Sequence, residues 1–194
     1  MKRFVLVAAA LVVVSVSAAR DAAAQGFVSP FVGTTLTSPS PSGSRSKPGF
    51  GIAFGTLGKI VGFDTEIAYY PEVLDNTTNA LAKNRVLTFS GDTLIGPTIG
   101  RVKAYGAIGF GNLHLNVTSL RSAIIPNPAS ISSNYFTFNA GGGVAGFFTT
   151  HLGMRGDLRY YRAYGFDVTD LQSTGITLDR FDFWRASVGL AAKF

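Results

Sequence analysis

LGMRGDLRYYR, residues 152–162, carries the pattern that decides the fold. Leu152, Met154, Leu158 and Tyr160 share one parity, and Arg155, Asp157 and Arg159 share the other. Side chains alternate between faces along an extended strand, so this segment has one apolar face and one charged face. The same alternation recurs at about 26–36, 48–57, 60–70, 84–95, 101–117, 134–148 and 181–194. In 60–70, Val61, Phe63, Thr65, Ile67 and Tyr69 oppose Gly62, Asp64, Glu66 and Ala68. In the last segment, Trp184, Ala186, Val188, Leu190, Ala192 and Phe194 oppose Arg185, Ser187, Gly189 and Lys193. Chance would scatter mid-strand charges over both parities. Here each strand keeps them to one.

The connections alternate as well. Gly58 and Lys59, residues 96–100 and residues 149–151 are short, whereas 37–47, 71–83, about 118–133 and 163–180 are long. Short turns at one end and long loops at the other, with strands near ten residues, fit a sheet that crosses a bilayer. Such a sheet must close, because hydrocarbon offers no partner to an open edge. The expected fold is therefore all-β: an eight-stranded antiparallel up-and-down transmembrane β-barrel. A soluble sandwich or lipocalin-like barrel would show the same alternation with its charges outside. Three features favour the inverted arrangement. One face is apolar in nearly every strand, the charges on the other face are few and balanced, and the chain ends on Phe194 in register with the apolar face.

Composition agrees. Only 14% of the 194 residues are charged, against about 25% in a typical soluble domain, and mean hydropathy is high. Yet past residue 24 no apolar run reaches the 18 or more residues that a spanning helix needs. The absence of cysteine excludes a disulfide scaffold and a cysteine zinc site. Residues 1–24 have the anatomy of a cleavable signal peptide, the bland alternative being an anchor helix. Lys2 and Arg3 precede an apolar stretch, and Ala22, Ala23 and Ala24 offer a small-residue cleavage site. Cleavage leaves residues 25–194 as one barrel domain with 14 basic and 10 acidic residues, a net charge of +4. That charge is spread along the chain and is no nucleic-acid footprint.

With these residues in view, the chain resembles the OmpA-like, OmpX-like eight-stranded outer-membrane β-barrel domains. The resemblance runs from Phe27, Phe31 and Gly33 to Phe194. It is densest in FNAGGGVAGFFTTHLGMRGDLRYY, residues 138–161, which is similar to the penultimate hairpin of that family. The terminal Phe194 is similar to the assembly signal read by the barrel-assembly machinery. The resemblance specifies the fold well and an activity poorly. It implies an integral protein of the Gram-negative outer membrane, with periplasmic termini and extracellular long loops. No peptidoglycan-binding domain is expected.

If the charged parity faces inward, Asp64, Glu66, Asp92 and Asp157 share the lumen with Lys103, Arg155, Arg159 and Arg185. Buried charges are costly unless paired. Asp64 and Glu66 are expected to reach across toward Arg155 and Arg159. Asp92 is expected beside Lys103, if the positions in that hairpin sum to 195. Such a network would plug a barrel whose interior is just wide enough for side chains; a narrow gated pore and a catalytic carboxylate pair are the alternatives. The alternating glycines Gly49, Gly51 and Gly55 call for a large neighbour that approaches closely, and Gly109 to Gly111 suggests a bulge. Tyr69, Tyr160 and Trp184 near the loop ends, with Phe148 and Phe194 near the turns, form candidate interfacial girdles.

Other motifs carry little. Gly141, Gly143 and Gly146 match G-x-G-x-x-G, but no helix follows to receive a pyrophosphate. His114 and His151 stand apart, so no metal or cofactor is expected, and neither builds a serine–histidine–acid group. Arg45, Lys47, Lys83, Arg121, Arg162 and Arg180 lie on the loop side, where lipopolysaccharide phosphates are candidate ligands beside ordinary solvation. Ile124 and Ile125 form an apolar loop tip. The expected function is that of a monomeric, non-enzymatic outer-membrane barrel with a structural and surface-contact role. A small passive pore is the main alternative, and a lipid A-modifying enzyme a remote one.

Overall fold

The computed structural model describes residues 25–36, 46–71, 82–119, 130–164 and 182–194. The expected signal peptide, Arg45, Arg121, Arg180 and the Ile124–Ile125 tip lie outside them. Eight long strands run in chain order: β1 (Gln25–Leu36), β2 (Lys47–Leu57), β3 (Val61–Pro71), β4 (Ala82–Ile95), β6 (Val102–Ser119), β7 (Ser130–Phe147), β8 (Leu152–Tyr164) and β9 (Asp182–Lys193). A two-residue strand, β5 (Thr98–Ile99), lies in the connection between β4 and β6. Every pairing is antiparallel between sequence neighbours, and β1 pairs with β9 to close the ring. Closure satisfies the backbone of every wall strand from within, as hydrocarbon demands.

The wall is apolar on its outside. Val32, Phe50, Phe63, Phe110, Val144, Leu158 and Leu190 are all exposed, on the parity expected to meet lipid. The opposite parity is buried in three layers. Tyr70, Val86, Leu113, Leu115, Tyr135, Tyr161 and Phe183 pack toward the loop end. Leu94, Tyr105, Ala107, Ala145, Phe147 and Ala191 pack toward the turn end. The charged side chains lie between these two layers.

Two expectations about β4 to β6 need correction. The register pairs Asp92 with Gly109 and Ile95 with Gly106, so paired positions sum to 201 rather than 195. The chain does not reverse at the middle of residues 96–100, where a sum of 195 would centre the turn. It continues through β5, which pairs Thr98 with Lys103, and reverses at Gly100. Gly100 has a φ of 61°, a conformation that glycine adopts without strain. Gly96 and Thr98 meanwhile donate backbone hydrogen bonds to Ile60 and Lys59 of the neighbouring turn. There is also no bulge at Gly109 to Gly111. The β4–β6 and β6–β7 ladders run through it unbroken, and Leu113 belongs to the inward parity.

The inward glycines have a steric cause. A Cβ on Gly49 would collide with the Tyr70 ring, and one on Gly51 with the Phe31 ring. In a lumen this narrow, a ring from one strand needs a facing strand with no side chain.

Candidate functional site

The middle layer is built from β3, β4, β8 and β9. Alternation turns Asp64, Glu66, Asp92, Arg155, Asp157, Arg159 and Arg185 inward, and six of the seven are at most 4% exposed. The Asp157 side chain is 6% exposed. Arg159 is the hub. Its Nη1 donates to Asp92 Oδ2 at 2.6 Å, and its Nη2 donates to Asp64 Oδ2 at 3.1 Å and to Asp157 Oδ1 at 3.3 Å. Arg155 Nη2 also reaches Asp64 Oδ2, at 2.5 Å, while Arg155 Nε donates to Asp157 Oδ2 at 2.7 Å. Arg185 grips Glu66 with both terminal nitrogens, Nη1 to Oε1 and Nη2 to Oε2, the latter at 2.8 Å. This bidentate geometry is the strong form of a guanidinium–carboxylate pair.

The partners differ in part from those the alternation suggests. Asp64 meets Arg155 and Arg159 across the lumen. Glu66 bonds Arg185 instead, with Arg159 at 3.9 Å. Asp157 bonds two arginines of its own strand. Lys103 is a correction. The six-position difference in register takes it away from Asp92 and down to the turn end. There its Nζ donates to the carbonyls of Gly58, Ile60 and Gly96 at 2.7, 3.4 and 3.1 Å.

Uncharged members escaped the sequence reading. Tyr105 Oη donates to Asp157 Oδ1 at 2.8 Å and accepts from Arg155 Nε at 2.7 Å. Asn139 Nδ2 donates to Asp92 Oδ1 at 2.6 Å, Ser90 Oγ donates to Asp92 Oδ2, and Tyr161 Oη donates to Glu66 Oε1. All have the inward parity of their strands, which is the signal that could have found them. Aromatic rings wall the guanidiniums. Arg155 lies 5.3 Å from the Phe27 and Tyr105 ring centres, and Arg185 lies 5.2 and 5.0 Å from those of Phe31 and Tyr161. Such cation–π contacts are favourable where water is excluded. Between Glu66, Arg155 and Asp157 the remaining space does not admit a water-sized sphere.

This is a barrel with an apolar belt outside and a closed, charged interior, in the strand order of an up-and-down meander. The family model for the outer membrane protein beta-barrel domain matches residues 6–194. The chain belongs to that family. Structures of outer-membrane barrels share its fold at low sequence identity. Neisserial surface protein A is 13% identical, with a TM-score of 0.60, over 87% of this chain and 97% of that one. A major outer membrane protein from Thermus thermophilus is 13% identical, with a TM-score of 0.63, over 89% and 100%. Ail, the attachment invasion locus protein of Yersinia pestis, is 12% identical, with a TM-score of 0.59, over 88% and 99%. No curated protein matches the sequence. The chain is thus an outer-membrane β-barrel protein that shares the fold of these barrels.

The expected girdle residues lie on the outer face of this family member. Near the loop end, the Tyr160 and Trp184 rings are 5.4 Å apart, and Tyr69 packs 5.6 Å from Phe50. Near the turn end, Phe148 and Phe194 are exposed. The Phe194 amide donates to the Gly26 carbonyl, tying the last residue back to β1. The two histidines are dispersed. His114 Nδ1 contacts Asn134 Oδ1, and His151 Nδ1 contacts Thr150 Oγ1 in the β7–β8 turn.

Proposed function

We propose that this barrel acts without catalysis, as a structural and surface-contact protein whose lumen is plugged by the carboxylate–guanidinium network. The observation that carries this reading is the filled middle layer: buried charges paired across the lumen, with no room for water in the gap beside Glu66, Arg155 and Asp157. A conducting path would have to break several charge-assisted hydrogen bonds in a medium of low dielectric. On this reading, residues 1–24 are cleaved, the termini and turns face the periplasm, and the loops face outward. Phe194 marks the chain for the assembly machinery. The protein works as a monomer, with Tyr69, Tyr160, Trp184, Phe148 and Phe194 seated at the two interfaces.

The loop end is the contact surface in this proposal. Ail has been solved in complex with the heparin analogue sucrose octasulfate, with a TM-score of 0.55 to this chain. That precedent supports a polyanion such as lipopolysaccharide as the ligand of the basic loop side here, where Arg162 stacks over Tyr164 at 5.6 Å.

A small passive pore is the second reading. It is favoured by buried polar atoms without a hydrogen-bond partner, among them Asp64 Oδ1, Arg155 Nη1, Arg159 Nε and Arg185 Nε. They leave the network room to exchange partners. Single-channel recording in planar bilayers decides. The plug predicts silence, and stable unitary openings would overturn it. Unaltered lipid A in mass spectra after overexpression is expected of a barrel without enzymatic activity.

A further inference from the structure

The turn end of the lumen differs from its middle. A recess of about 190 Å³ opens there. Four cations line it, Lys59, Arg101, Lys103 and Lys193, and no carboxylate does. In the middle layer each guanidinium has an acidic partner. Among the described residues, none of these four cations is in an ion pair.

The four are not equivalent. Lys103 is 2% exposed, and its three ammonium donors are engaged by the Gly58, Ile60 and Gly96 carbonyls. It contributes charge and fixes the turns that carry Lys59 and Arg101. Lys193 Nζ stands 3.7 Å from the Phe147 ring centre, which holds its chain against the wall and leaves its N–H donors available. Arg101 uses Nη1 on the Phe148 carbonyl, leaving the rest of its fork. Lys59 is exposed at the opposite lip. Gln25 and Thr98 add neutral polar groups to the rim.

Concentrated positive charge with low-dielectric walls draws anions. Several converging cations favour a multiply charged ligand, and a guanidinium fork matches the oxygens of phosphate. The recess is smaller than the roughly 300 Å³ and upward of drug-sized sites, but it holds one small oxyanion with a few waters of about 30 Å³ each. We propose that the turn-end recess binds a phosphate-class oxyanion, held by Lys59, Arg101 and Lys193 over a floor fixed by Lys103. The phosphate can come from solution or from the headgroup of a lipid beside the barrel rim.

The test uses the protein refolded in an uncharged maltoside detergent, at constant ionic strength set with chloride. Inorganic phosphate is titrated in one arm and short-chain phosphatidylglycerol in the other, while amide shifts are followed by NMR. Saturable shifts at Gly58, Gly100 and Arg101 are expected. Saturation by inorganic phosphate identifies a solution anion, and saturation by the lipid alone identifies a headgroup. The double variant Lys59→Gln and Arg101→Gln changes exposed turn residues, and heat-modifiable gel migration checks its folding. It is expected to weaken binding at least about tenfold, since one charge-assisted hydrogen bond already carries that much. No saturable shift in either arm, or equal affinity in the double variant, overturns the proposal. Should that variant not fold, Lys193→Gln is read in the same way.

Discussion

Asp64 and Asp92 stand directly opposite each other on β3 and β4, two buried carboxylates in a cross-strand pair. Like charges so placed repel unless something lies between them. Arg159 supplies it from the far wall, one terminal nitrogen to each acid. Removing that guanidinium leaves both carboxylates short of charge in a water-poor lumen. Arg159→Gln is therefore expected to lower stability by about 3–5 kcal/mol. Urea titration of the lipid-embedded barrel, followed by the fluorescence of its sole tryptophan, Trp184, measures this. Adding Asp92→Asn should recover part of the loss, because one uncompensated charge disappears with it. A double variant no more stable than the single would show that Arg159 acts through packing instead.

Glu66 and Arg185 form the network's bidentate pair and should behave as a unit. Glu66→Gln alone strands a fully buried guanidinium and is expected to cost about 3–5 kcal/mol. Replacing both residues by methionine removes the charge and keeps most of the volume. That double variant should lie within about 1–2 kcal/mol of the parent, because paired buried ions are often no better than a well-packed apolar pair. A double-mutant cycle by urea unfolding gives the coupling. Additive losses would mean that the two residues are independent.

Strand placement and inward parity are legible in the sequence because both follow from a period of two, which survives with no knowledge of neighbours. Hence residues 152–162 alone put Arg155, Asp157 and Arg159 on one face, and the apolar face of the other strands with the terminal Phe194 turns that face into the lumen. Partner choice is another matter, because it depends on register between strands. Register in β4–β6 hangs on which glycine reverses the chain. A sum of 195 centres the turn between residues 97 and 98, yet Gly100 makes it, and this carries Lys103 from the expected Asp92 to three backbone carbonyls. Neutral members such as Tyr105 and Asn139 are hidden for a different reason. An inward tyrosine reads as apolar packing until its hydroxyl is found between Arg155 and Asp157.

Two glycines should respond differently to the same added methyl. A Cβ on Gly51 meets the Phe31 ring and the Ile67 carbonyl, so neither a rotamer change nor a small shift relieves it. A Cβ on Gly26 meets only the ring of Phe194, which is 82% exposed and can swing away. Gly51→Ala is expected to cost about 1–3 kcal/mol, as overpacking does, and Gly26→Ala less than about 1 kcal/mol. Phe31→Ala costs about 3–5 kcal/mol by itself through the cavity it leaves, so the comparison is a double-mutant cycle: in that background the further cost of Gly51→Ala should shrink but not vanish, because the carbonyl contact remains. Equal costs at the two sites in urea unfolding would contradict the lumen-filling account of these glycines.

Lys103 tests whether the turn end is clamped as an independent layer. Its ammonium joins the β2–β3 turn to the end of β4 through three carbonyls, and the same turns are bridged by the Gly96 to Ile60 and Thr98 to Lys59 backbone bonds. Lys103→Met keeps the aliphatic stem and deletes the donors. It should lower stability by about 1–3 kcal/mol, the cost of removing a charged donor from three carbonyls, of which Ile60 keeps the Gly96 amide. The effect should be local. Amide exchange at Gly96 and Thr98 should accelerate, while the Asp64, Asp92 and Arg159 amides of the middle layer keep their protection. Had Lys103 been the partner of Asp92, the order would reverse and the middle layer would lose protection first. Exchange measured by NMR on the refolded barrel separates the two outcomes residue by residue.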